Sequence, residues 1–278
     1  MAVISYDSRE LLAAFSTRHS ISYPLLADPE SVAIKRYGLL NTIVDEALGP
    51  NAKDPGVQAD MQRYVAVTQA SERFRGMAFP GTLMLDRQGR VTSRFFEEFY
   101  WQRNTVSNIL MRLGAGGTPV QATQASTAHL DLRAYPSDAA VVLGTRFSLA
   151  VDIVPKRNMH VYAPGATGYR VVTVHITPQP HVRVMPVRYP ASEIYHFVPL
   201  NERVQVFQRP FTLLVEAVPD ATPDARKAFS GKTELAISGT LEYQACDDKI
   251  CYNPVSLPLT WNVALTMNVP GAPPSPGR

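Results

Sequence analysis

The spacing of apolar residues along the chain changes near residue 127. Before it, short apolar runs alternate with stretches that have helical spacing, which is typical of an α/β unit. The predicted elements are a strand at 2–5, a helix capped by Asp7 and ending near His19, a helix at 30–37, a weakly helical insertion at 40–75, a strand pair at 82–85 and 91–96, and a helix capped by Asn104 or Thr105.

The last of these helices has a clear apolar pattern. Val106, Ile109, Leu110 and Leu113 follow one another at i, i+3, i+4 and i+7. This spacing places all four on one side of a helix, and such a side normally packs against the protein core.

After residue 127 the apolar residues recur at every second position, which predicts β-strands. Turns rich in Pro, Gly, Asn and Asp separate these strands at intervals of about ten residues, as in an all-β sandwich. The predicted strands are 129–133, 146–153, 160–162, 169–176, 182–187, 204–207, 211–218, 234–243 and 257–267, and the one helical stretch is 223–229.

Two polar, flexible segments complete the predicted organisation. Residues 114–126 (GAGGTPVQATQAS) have the composition of a linker. Residues 269–278 (VPGAPPSPGR) have that of a disordered tail. The sequence therefore predicts an α/β domain at 1–113, a linker at 114–126, a β-sandwich at 127–268 and a disordered tail.

Composition narrows the function classes. The 278 residues are 45% hydrophobic and 18% charged, with a net charge of +3 and scattered basic residues, so a nucleic-acid-binding surface is not indicated. No run of 18 apolar residues exists, so no membrane span is expected. The N-terminus (MAVISYDSREL) lacks the pattern of a signal peptide, so no export signal is expected. No cofactor motif is found.

Both cysteines of the chain, Cys246 and Cys251, lie in one short turn between two predicted strands. Residues five apart across a turn can approach within disulfide distance. The ring is so small that, by chain entropy, the bond would stabilise the fold by only about 2 kcal/mol. Such a weak cross-link favours redox chemistry over reinforcement.

The tyrosines near this turn suggest a shield for the sulfur atoms. Tyr162, Tyr243 and Tyr252 could form an aromatic collar that limits access to the cysteines. The alternative is that they are half-buried strand residues.

The first domain resembles the alkyl hydroperoxide reductase/thiol-specific antioxidant (AhpC/TSA) branch of the thioredoxin fold. The segments that match this family are 2–8, 23–28, Arg36-Tyr37-Gly38 and 79–86 (FPGTLMLD). The resemblance implies an incomplete thioredoxin-like, peroxiredoxin-type unit in which Pro80 is the cis-proline, here with a structural role. Residues 1–113 contain no cysteine, so they lack the nucleophile of that family.

The second domain is similar to the N-terminal periplasmic domain of the thiol:disulfide interchange protein DsbD, an immunoglobulin-like fold. The residues that match this family are Tyr243-Gln244-Ala245-Cys246, Cys251-Tyr252 and Pro254, and the segment 155–164 (PKRNMHVYAP) supports the match. The spacing departs from the family: four residues separate the cysteines, where five are expected. An aromatic cap over the pair is expected at about 195–207.

This resemblance implies a function and a partner. The family relays electrons by exchange between dithiols and disulfides, with thioredoxin-like partners. Cys251 is then the sulfur that engages the partner, and Cys246 the one that resolves the mixed disulfide. The partner could be the N-terminal half of an intact form of the chain, and the compartment implied is the bacterial periplasm or cell envelope.

Three alternatives stay open at this point. The pair could be an inert structural disulfide in a non-catalytic immunoglobulin-like binding module. The chain could be a truncated member of an antioxidant, peroxidase-type family, although peroxidase activity would need a further cysteine. A zinc site is disfavoured, because the six histidines have no metal-ligand spacing relative to the cysteines.

Overall fold

The computed structural model describes residues 1–65, 72, 75–97, 102–115, 122–197 and 201–266. The chain forms two compact units. Unit 1 contains Met1–Arg103 together with Ala221–Pro223, and unit 2 contains Asn104–Asp220 and the residues from Asp224 onward. The predicted tail and the centre of the predicted linker, 116–121, lie outside the described residues. None of the described helices has both the length and the apolar character needed to cross a membrane.

Unit 1 is a mixture of short helices and strands. Its elements are β1 (Val3–Ser5), α1 (Arg9–Arg18), β2 (Leu25–Ala27), α2 (Val32–Arg36), α3 (Thr42–Ala47), α4 (Pro55–Val65), β3 (Gly81–Leu85) and β4 (Val91–Phe96). A further strand, β5 (Arg103–Asn104), lies at the division of the units. The strand predicted at 2–5, the helix after it, the helix at 30–37 and the strand pair at 82–85 and 91–96 are present, and the insertion at 40–75 contains α3 and α4.

The residue that caps α1 differs from the prediction. Ser8, not Asp7, is the N-cap, because Ser8 has an extended backbone and its side chain accepts the N–H of Leu11 at 3.4 Å. The carboxylate of Asp7 instead accepts a hydrogen bond from the hydroxyl of Ser5 at 2.6 Å. The capping serine is thus one residue further along the chain.

The strands of unit 1 form two separate pairs. β1 and β2 run parallel, and β3 and β4 form an antiparallel hairpin. Among the described residues these pairs do not join into one sheet. The thioredoxin-like arrangement therefore stays a prediction.

Pro80 does not have the predicted cis peptide bond. No cis peptide occurs in the part of the chain that the structure describes, so Phe79–Pro80 is trans. The carbonyl of Pro80 accepts the N–H of Glu97 at 3.0 Å, which extends the β3–β4 ladder by one bond. A trans peptide thus leads directly into β3.

Unit 2 is built mainly of strands. They are β6 (Thr123–Ser126), β7 (Leu130–Pro136), β8 (Ala140–Val142), β9 (Thr145–Pro155), β10 (His160–Tyr162), β11 (Thr173–Ile176), β12 (Val182–Val184), β13 (Glu193–Phe197), β14 (Glu202–Phe207), β15 (Phe211–Pro219), β16 (Glu234–Tyr243), β17 (Ala245–Cys246) and β18 (Val255–Thr266). Two helices, α5 (Val106–Arg112) and α6 (Pro223–Phe229), accompany them.

Two sheets of unit 2 face each other as a sandwich. One has the strand order β11-β16-β18-β8, and the other contains β12-β15-β9-β7-β6. Strands β16 and β18 pair in antiparallel register over ten residues, and every second residue of each is buried. Trp261 of β18 is 1% exposed and donates its indole N–H to the carbonyl of Ala150 in β9, at 3.1 Å. This bond connects the two sheets, and the immunoglobulin-like region is confirmed.

A third sheet of the described residues carries the cysteine turn. Its order is β13-β14-β10-β17, with all neighbours antiparallel. β10 lies within 155–164, the segment that supports the resemblance of the second domain, and its pairing with β17 places His160 opposite Cys246. β13 and β14 form the hairpin that occupies the position of the predicted aromatic cap.

Helix α5 packs through polar side chains, contrary to the prediction. Val106 is 73% exposed, and Leu110 and Leu113 are also exposed. The buried residue is Asn108, whose amide donates to Glu216 of β15 at 3.0 Å and whose oxygen accepts the hydroxyl of Ser148 in β9. Polar contacts with unit 2 thus determine which side of the helix is buried.

The division between the units falls before α5, whereas the sequence places the domain boundary at 113. Thr105, the N-cap of α5 as predicted, also donates its backbone N–H to the carbonyl of Arg146 at 3.0 Å. Residues 123–126, assigned to the linker, form β6 and pair with β7. The last part of the predicted linker is therefore a strand.

Candidate functional site

Cys246 and Cys251 form a disulfide across the turn that links β17 to β18. Their Cα atoms are 4.1 Å apart, and the two residues form an isolated antiparallel bridge. One oxygen of Asp247 accepts the backbone N–H groups of Lys249 and Ile250, both at 2.8 Å. The backbone N–H of Asp247 donates to the carbonyl of Ile250. These bonds fix the turn locally.

Asp247 has a charge that suits this role. The N–H groups of Ile250 and Lys249, and then the hydroxyl of Tyr252, lower the pKa of its carboxyl group below the ordinary value. Hydrogen bonds to the charged form favour that form. Asp247 is therefore ionised at neutral pH, and its carboxylate accepts its hydrogen bonds from residues of the turn itself.

The two sulfur-bearing residues differ sharply in exposure. Cys246 is only 1% exposed and belongs to a buried apolar cluster with Tyr162, Val204 and Val206. Cys251 is exposed. Of the two residues, Cys251 is therefore the one that faces solvent, whereas Cys246 is covered by protein.

Tyr162 of β10 contacts both sulfur atoms. Its hydroxyl is 2.9 Å from the sulfur of Cys246 and 3.3 Å from that of Cys251. Burial raises the pKa of Tyr162 above its ordinary value, and Tyr169, Glu202 and Tyr195 add to the effect. The phenol therefore keeps its proton and can donate it in a hydrogen bond to sulfur.

A second tyrosine supports Tyr162 from behind. The ring of Tyr169 stacks on that of Tyr162, with centroids 3.9 Å apart and an interplanar angle of 11°. The hydroxyl of Tyr169 donates to Glu202 of β14 at 2.6 Å, and this bond raises the pKa of Tyr169. Tyr162 is thus fixed by a stacked ring, which is in turn hydrogen-bonded to the β13–β14 hairpin.

The same hairpin covers His160, the residue opposite Cys246. Tyr195 of β13 lies against the His160 ring with centroids 4.5 Å apart, and Tyr195 also packs on the cluster around Cys246. His160 is 4% exposed, and burial lowers its pKa, with Asp247 acting in the opposite direction. His160 is therefore a neutral, packed residue at neutral pH.

Tyr243 and Tyr252, the other two members of the predicted collar, have different partners. The hydroxyl of Tyr243, which is fully buried, lies 2.9 Å from that of Thr127. Tyr252 donates to Asp247 at 2.9 Å, and its ring lies 4.5 Å from that of His129. Of the three tyrosines, Tyr162 alone has a hydrogen-bond contact with sulfur among the described residues.

Three residues of this site were not singled out in the sequence. They are Tyr169, Glu202 and, as the residue that organises the turn, Asp247. A signal existed for Asp247, because an aspartate two residues before an exposed turn position commonly accepts backbone N–H groups. No local signal connects Tyr169 with Glu202, since 33 residues separate them.

A shallow groove of about 690 Å³ borders the base of the turn. Its lining includes Tyr169, Arg170, Gln244 and Pro254. Gln244 accepts the backbone N–H of Arg170 and donates to the carbonyl of Tyr252, at 3.1 and 3.2 Å. The described side chains contain no group of three or more His, Cys, Asp or Glu residues that could hold a metal ion.

Comparison with known proteins gives a family match that includes both cysteines. Residues 132–257 match the model of the family described as thiol:disulfide interchange protein DsbD, N-terminal. The resemblance of the C-terminal half is thereby confirmed. The match does not include residues 1–131, so the AhpC/TSA resemblance of the N-terminal half and its antioxidant function have no support from it.

A solved structure with partial similarity is the N-terminal periplasmic domain of ScsB from Proteus mirabilis. The identity is 12% and the TM-score 0.35, and the match covers 49% of this chain and 49% of that one. The chain thus spans about half the length of that domain. The search of the curated proteins gave no match.

Proposed function

We propose that the protein is a thiol:disulfide oxidoreductase that relays electrons through the Cys246–Cys251 pair to or from a thioredoxin-like partner. The observation that carries this proposal is the asymmetry of the disulfide: Cys251 is exposed and Cys246 is buried. An exchange reaction needs one accessible sulfur and one that departs in a fixed position. The family match over 132–257 supports the same reaction class.

The reduction of the disulfide would begin at Cys251. A thiolate of the partner attacks the sulfur of Cys251 and forms a new S–S bond with it. The bond between Cys251 and Cys246 breaks, and its electron pair leaves on the sulfur of Cys246. The partner's second thiolate then attacks the partner's first sulfur, which is bonded to Cys251. This step forms the partner's disulfide and releases Cys251 as a thiolate. Two electrons and, after protonation, two protons are transferred, and the reverse sequence passes them on.

Tyr162 would assist the departure of Cys246. A thiolate in a buried apolar cluster is costly unless a donor contacts it. The hydroxyl of Tyr162, 2.9 Å from that sulfur, supplies such a donor. Its raised pKa keeps the proton on the phenol, so the interaction is a hydrogen bond to a forming anion.

The redox potential separates this proposal from its alternative, an inert disulfide in a binding module. Structural disulfides typically lie below about −300 mV, and exchanging pairs lie higher. We expect the Cys246–Cys251 pair to equilibrate with a glutathione or thioredoxin buffer above that value, as measured by alkylation of free thiols and mass spectrometry. A pair that stays oxidised below −300 mV would contradict the relay.

A trapping experiment tests the roles of the two cysteines. Cys246→Ala leaves the exposed Cys251 free. The test partner is a thioredoxin variant without its resolving cysteine, whose remaining cysteine is blocked as a mixed disulfide with thionitrobenzoate. The Cys251 thiolate should attack that cysteine, expel thionitrobenzoate and form a mixed disulfide that persists, because neither protein has a second thiol to resolve it. Cys251→Ala is the matched control, because the remaining Cys246 is covered by protein, and it should trap little. Equal trapping by both variants would refute the assignment of Cys251 as the partner-facing sulfur.

The proposal also gives each half of the chain a role in the relay. Unit 2 carries the disulfide, and the N-terminal half would serve as a docking module for the partner. Such attachment raises the effective concentration of one domain near the other. Residues 1–113 have no cysteine of their own, so within this chain the exchange would take place at Cys246 and Cys251.

A further inference from the structure

The turn between the two cysteines is held by hydrogen bonds that do not involve sulfur. One carboxylate oxygen of Asp247 accepts the backbone N–H groups of Lys249 and Ile250, both at 2.8 Å. The backbone N–H of Asp247 donates to the carbonyl of Ile250 at 3.0 Å. An aspartate that accepts N–H groups two and three residues ahead shapes a turn by itself. The residues between the cysteines therefore have a conformation that does not depend on the S–S bond.

A second set of bonds holds the base of the same turn through Tyr252, the residue after Cys251. Its backbone N–H donates to the carbonyl of Ala245 at 2.9 Å, and its carbonyl accepts the side-chain amide of Gln244 at 3.2 Å. Its hydroxyl donates to the other carboxylate oxygen of Asp247 at 2.9 Å. The cysteine pair thus lies between two sets of hydrogen bonds, and the carboxylate of Asp247 takes part in both.

These bonds have a consequence for the reduced protein. Reduction breaks the S–S bond, but it removes none of the hydrogen bonds just described, because none of them uses a sulfur atom. Two groups joined by a short flexible segment meet at an effective concentration in the millimolar range. Groups that are held in the right orientation reach values many orders of magnitude higher. A turn that stays folded therefore favours closure of the dithiol to the disulfide.

We propose that Asp247 is a positioning residue for the exchange reaction: it keeps Cys246 and Cys251 face to face in the dithiol form and so sets the effective concentration of one sulfur at the other. The inference rests on the proposed function, because it concerns the reactivity of the same pair. It adds to that function a residue that controls how readily the reduced pair closes again.

Asp247 would act on the step in which the reduced protein releases its partner. The thiolate of Cys251 first attacks the partner's disulfide, forms a mixed disulfide and expels one partner sulfur as a thiolate. The thiolate of Cys246 then attacks the sulfur of Cys251, forms the internal disulfide and expels the partner's second sulfur as a thiolate. The second step is intramolecular, so its rate depends on how closely the turn holds the two cysteines together.

The first test measures the equilibrium of the full-length chain with glutathione. Asp247→Ala removes both acceptor oxygens, so it should lower the equilibrium constant for disulfide formation about tenfold, which raises the reduction potential by about 30 mV. Tyr252→Phe removes one of the three bonds to the carboxylate and should lower the constant by about two- to threefold. Alkylation of free thiols followed by mass spectrometry, over a series of glutathione ratios, measures each variant.

Two control variants separate geometry from charge. Asp247→Asn loses the charge but keeps an oxygen that can accept the N–H groups of Lys249 and Ile250, so the equilibrium constant should stay within about twofold of the wild type. Asp248→Ala removes the same charge from the neighbouring exposed position, whose carboxylate has no hydrogen bond in the described part of the chain. It should also stay within about twofold.

The second test follows the two steps of exchange separately. The reduced protein is mixed with equimolar dithiobis(nitrobenzoate), a small disulfide. Attack by Cys251 releases the first thionitrobenzoate, and attack by Cys246 on the mixed disulfide releases the second. In Asp247→Ala the first release should stay within about twofold of the wild-type rate, and the second should slow about tenfold. Stopped-flow absorbance measures both phases.

The outcomes distinguish this inference from the function on which it rests. If Asp247→Ala keeps the wild-type equilibrium constant and second phase, the positioning role is overturned and the relay stands. If Asp247→Asn and Asp248→Ala shift the equilibrium as much as Asp247→Ala, charge causes the effect and the positioning role is again overturned. If the glutathione results are as expected but thioredoxin does not exchange with the wild type, the relay is overturned and the role of Asp247 in closing the pair is retained.

Discussion

The two units of the chain contain similar apolar strands but bury them very differently. In unit 1, Val3 and Ile4 of β1 are each 41% exposed, and Leu26 of β2 is 47% exposed. In unit 2, Ile237 of β16 is fully buried and Leu235 is 4% exposed. Short two-stranded pairs bury little apolar area, whereas the sandwich packs its long strands between two layers.

The disulfide lies in the unit with the larger packed core. The proposed exchange needs one sulfur in a fixed buried position and the other at the surface, and a packed core fixes side chains in this way. The cluster around Cys246 and the stacked pair Tyr162–Tyr169 provide that support. In unit 1, Val44 and Met77 form a smaller cluster with four partly buried neighbours.

The largest expected effect comes from removing the side chain that connects the two sheets. Trp261→Ala should lower the free energy of unfolding by about 3–5 kcal/mol, because it leaves a large cavity and removes the hydrogen bond that joins the two sheets. The matched change in unit 1 is Phe15→Ala; Phe15 is 51% exposed, so this change should cost about 0.5 kcal/mol or less. Urea unfolding followed by circular dichroism measures both, and equal effects would remove the contrast between the units.

A second test asks whether α5 is part of the packed unit. Glu216 is 3% exposed and accepts Asn108 and Arg112 of α5, each at 3.0 Å. Glu216→Ala should cost about 3–5 kcal/mol, since it leaves arginine charge in a largely buried site. The exposed pair Arg209–Glu193 is the control, and Glu193→Ala should cost less than about 1 kcal/mol. A small effect of Glu216→Ala in the same unfolding assay would show that α5 contributes little.

Tyr162→Phe probes the sulfur chemistry with the packing kept. Loss of the hydroxyl should slow reduction of the disulfide about tenfold, with dithiothreitol as well as with thioredoxin, because the leaving sulfur loses its donor. Tyr243→Phe is the control; its hydroxyl contacts Thr127 and should not affect the rate. Stopped-flow reduction assays measure both variants, and an unchanged rate for Tyr162→Phe would exclude the donor role.

The smallest expected effect is a pH dependence of stability from His160. Burial lowers its pKa in the folded state, so the unfolded chain binds this proton more tightly. The free energy of unfolding should therefore fall as the pH drops from about 6.5 to the folded-state pKa, with a slope of at most about 1.4 kcal/mol per pH unit. Urea titrations from pH 5 to 8 should show a weaker dependence for His160→Phe. Superimposable profiles would rule out this contribution.

Local patterns in the sequence predicted much of the sandwich. Alternating apolar residues gave β16 at its observed bounds, and the helix α6 was also predicted at its observed bounds. Short strands such as β8 and β17 were missed, because two or three residues contain too little pattern to be distinguished from a turn. The position of the N-cap of α1 differed by one residue, since Asp7 and Ser8 are both good capping residues.

Long-range contacts were the main source of error. The apolar side of α5 was expected to be buried, but Asn108 is the buried residue, because Ser148 and Glu216 offer it polar partners. Those partners are 40 and 108 residues away in the chain. The cis bond at Pro80 came from a resemblance, and the local path of the chain into β3 did not require it.

For this protein, the sequence alone determined where thiol chemistry can occur, because its two cysteines share one short turn and no others exist. The tertiary structure decided how the two sulfurs differ. Pairing of β10 with β17 brings Tyr162 to both sulfur atoms and buries Cys246, while the turn leaves Cys251 exposed. The physical reason is that burial and hydrogen bonding depend on strands that are 84 residues apart in the chain and meet only after folding.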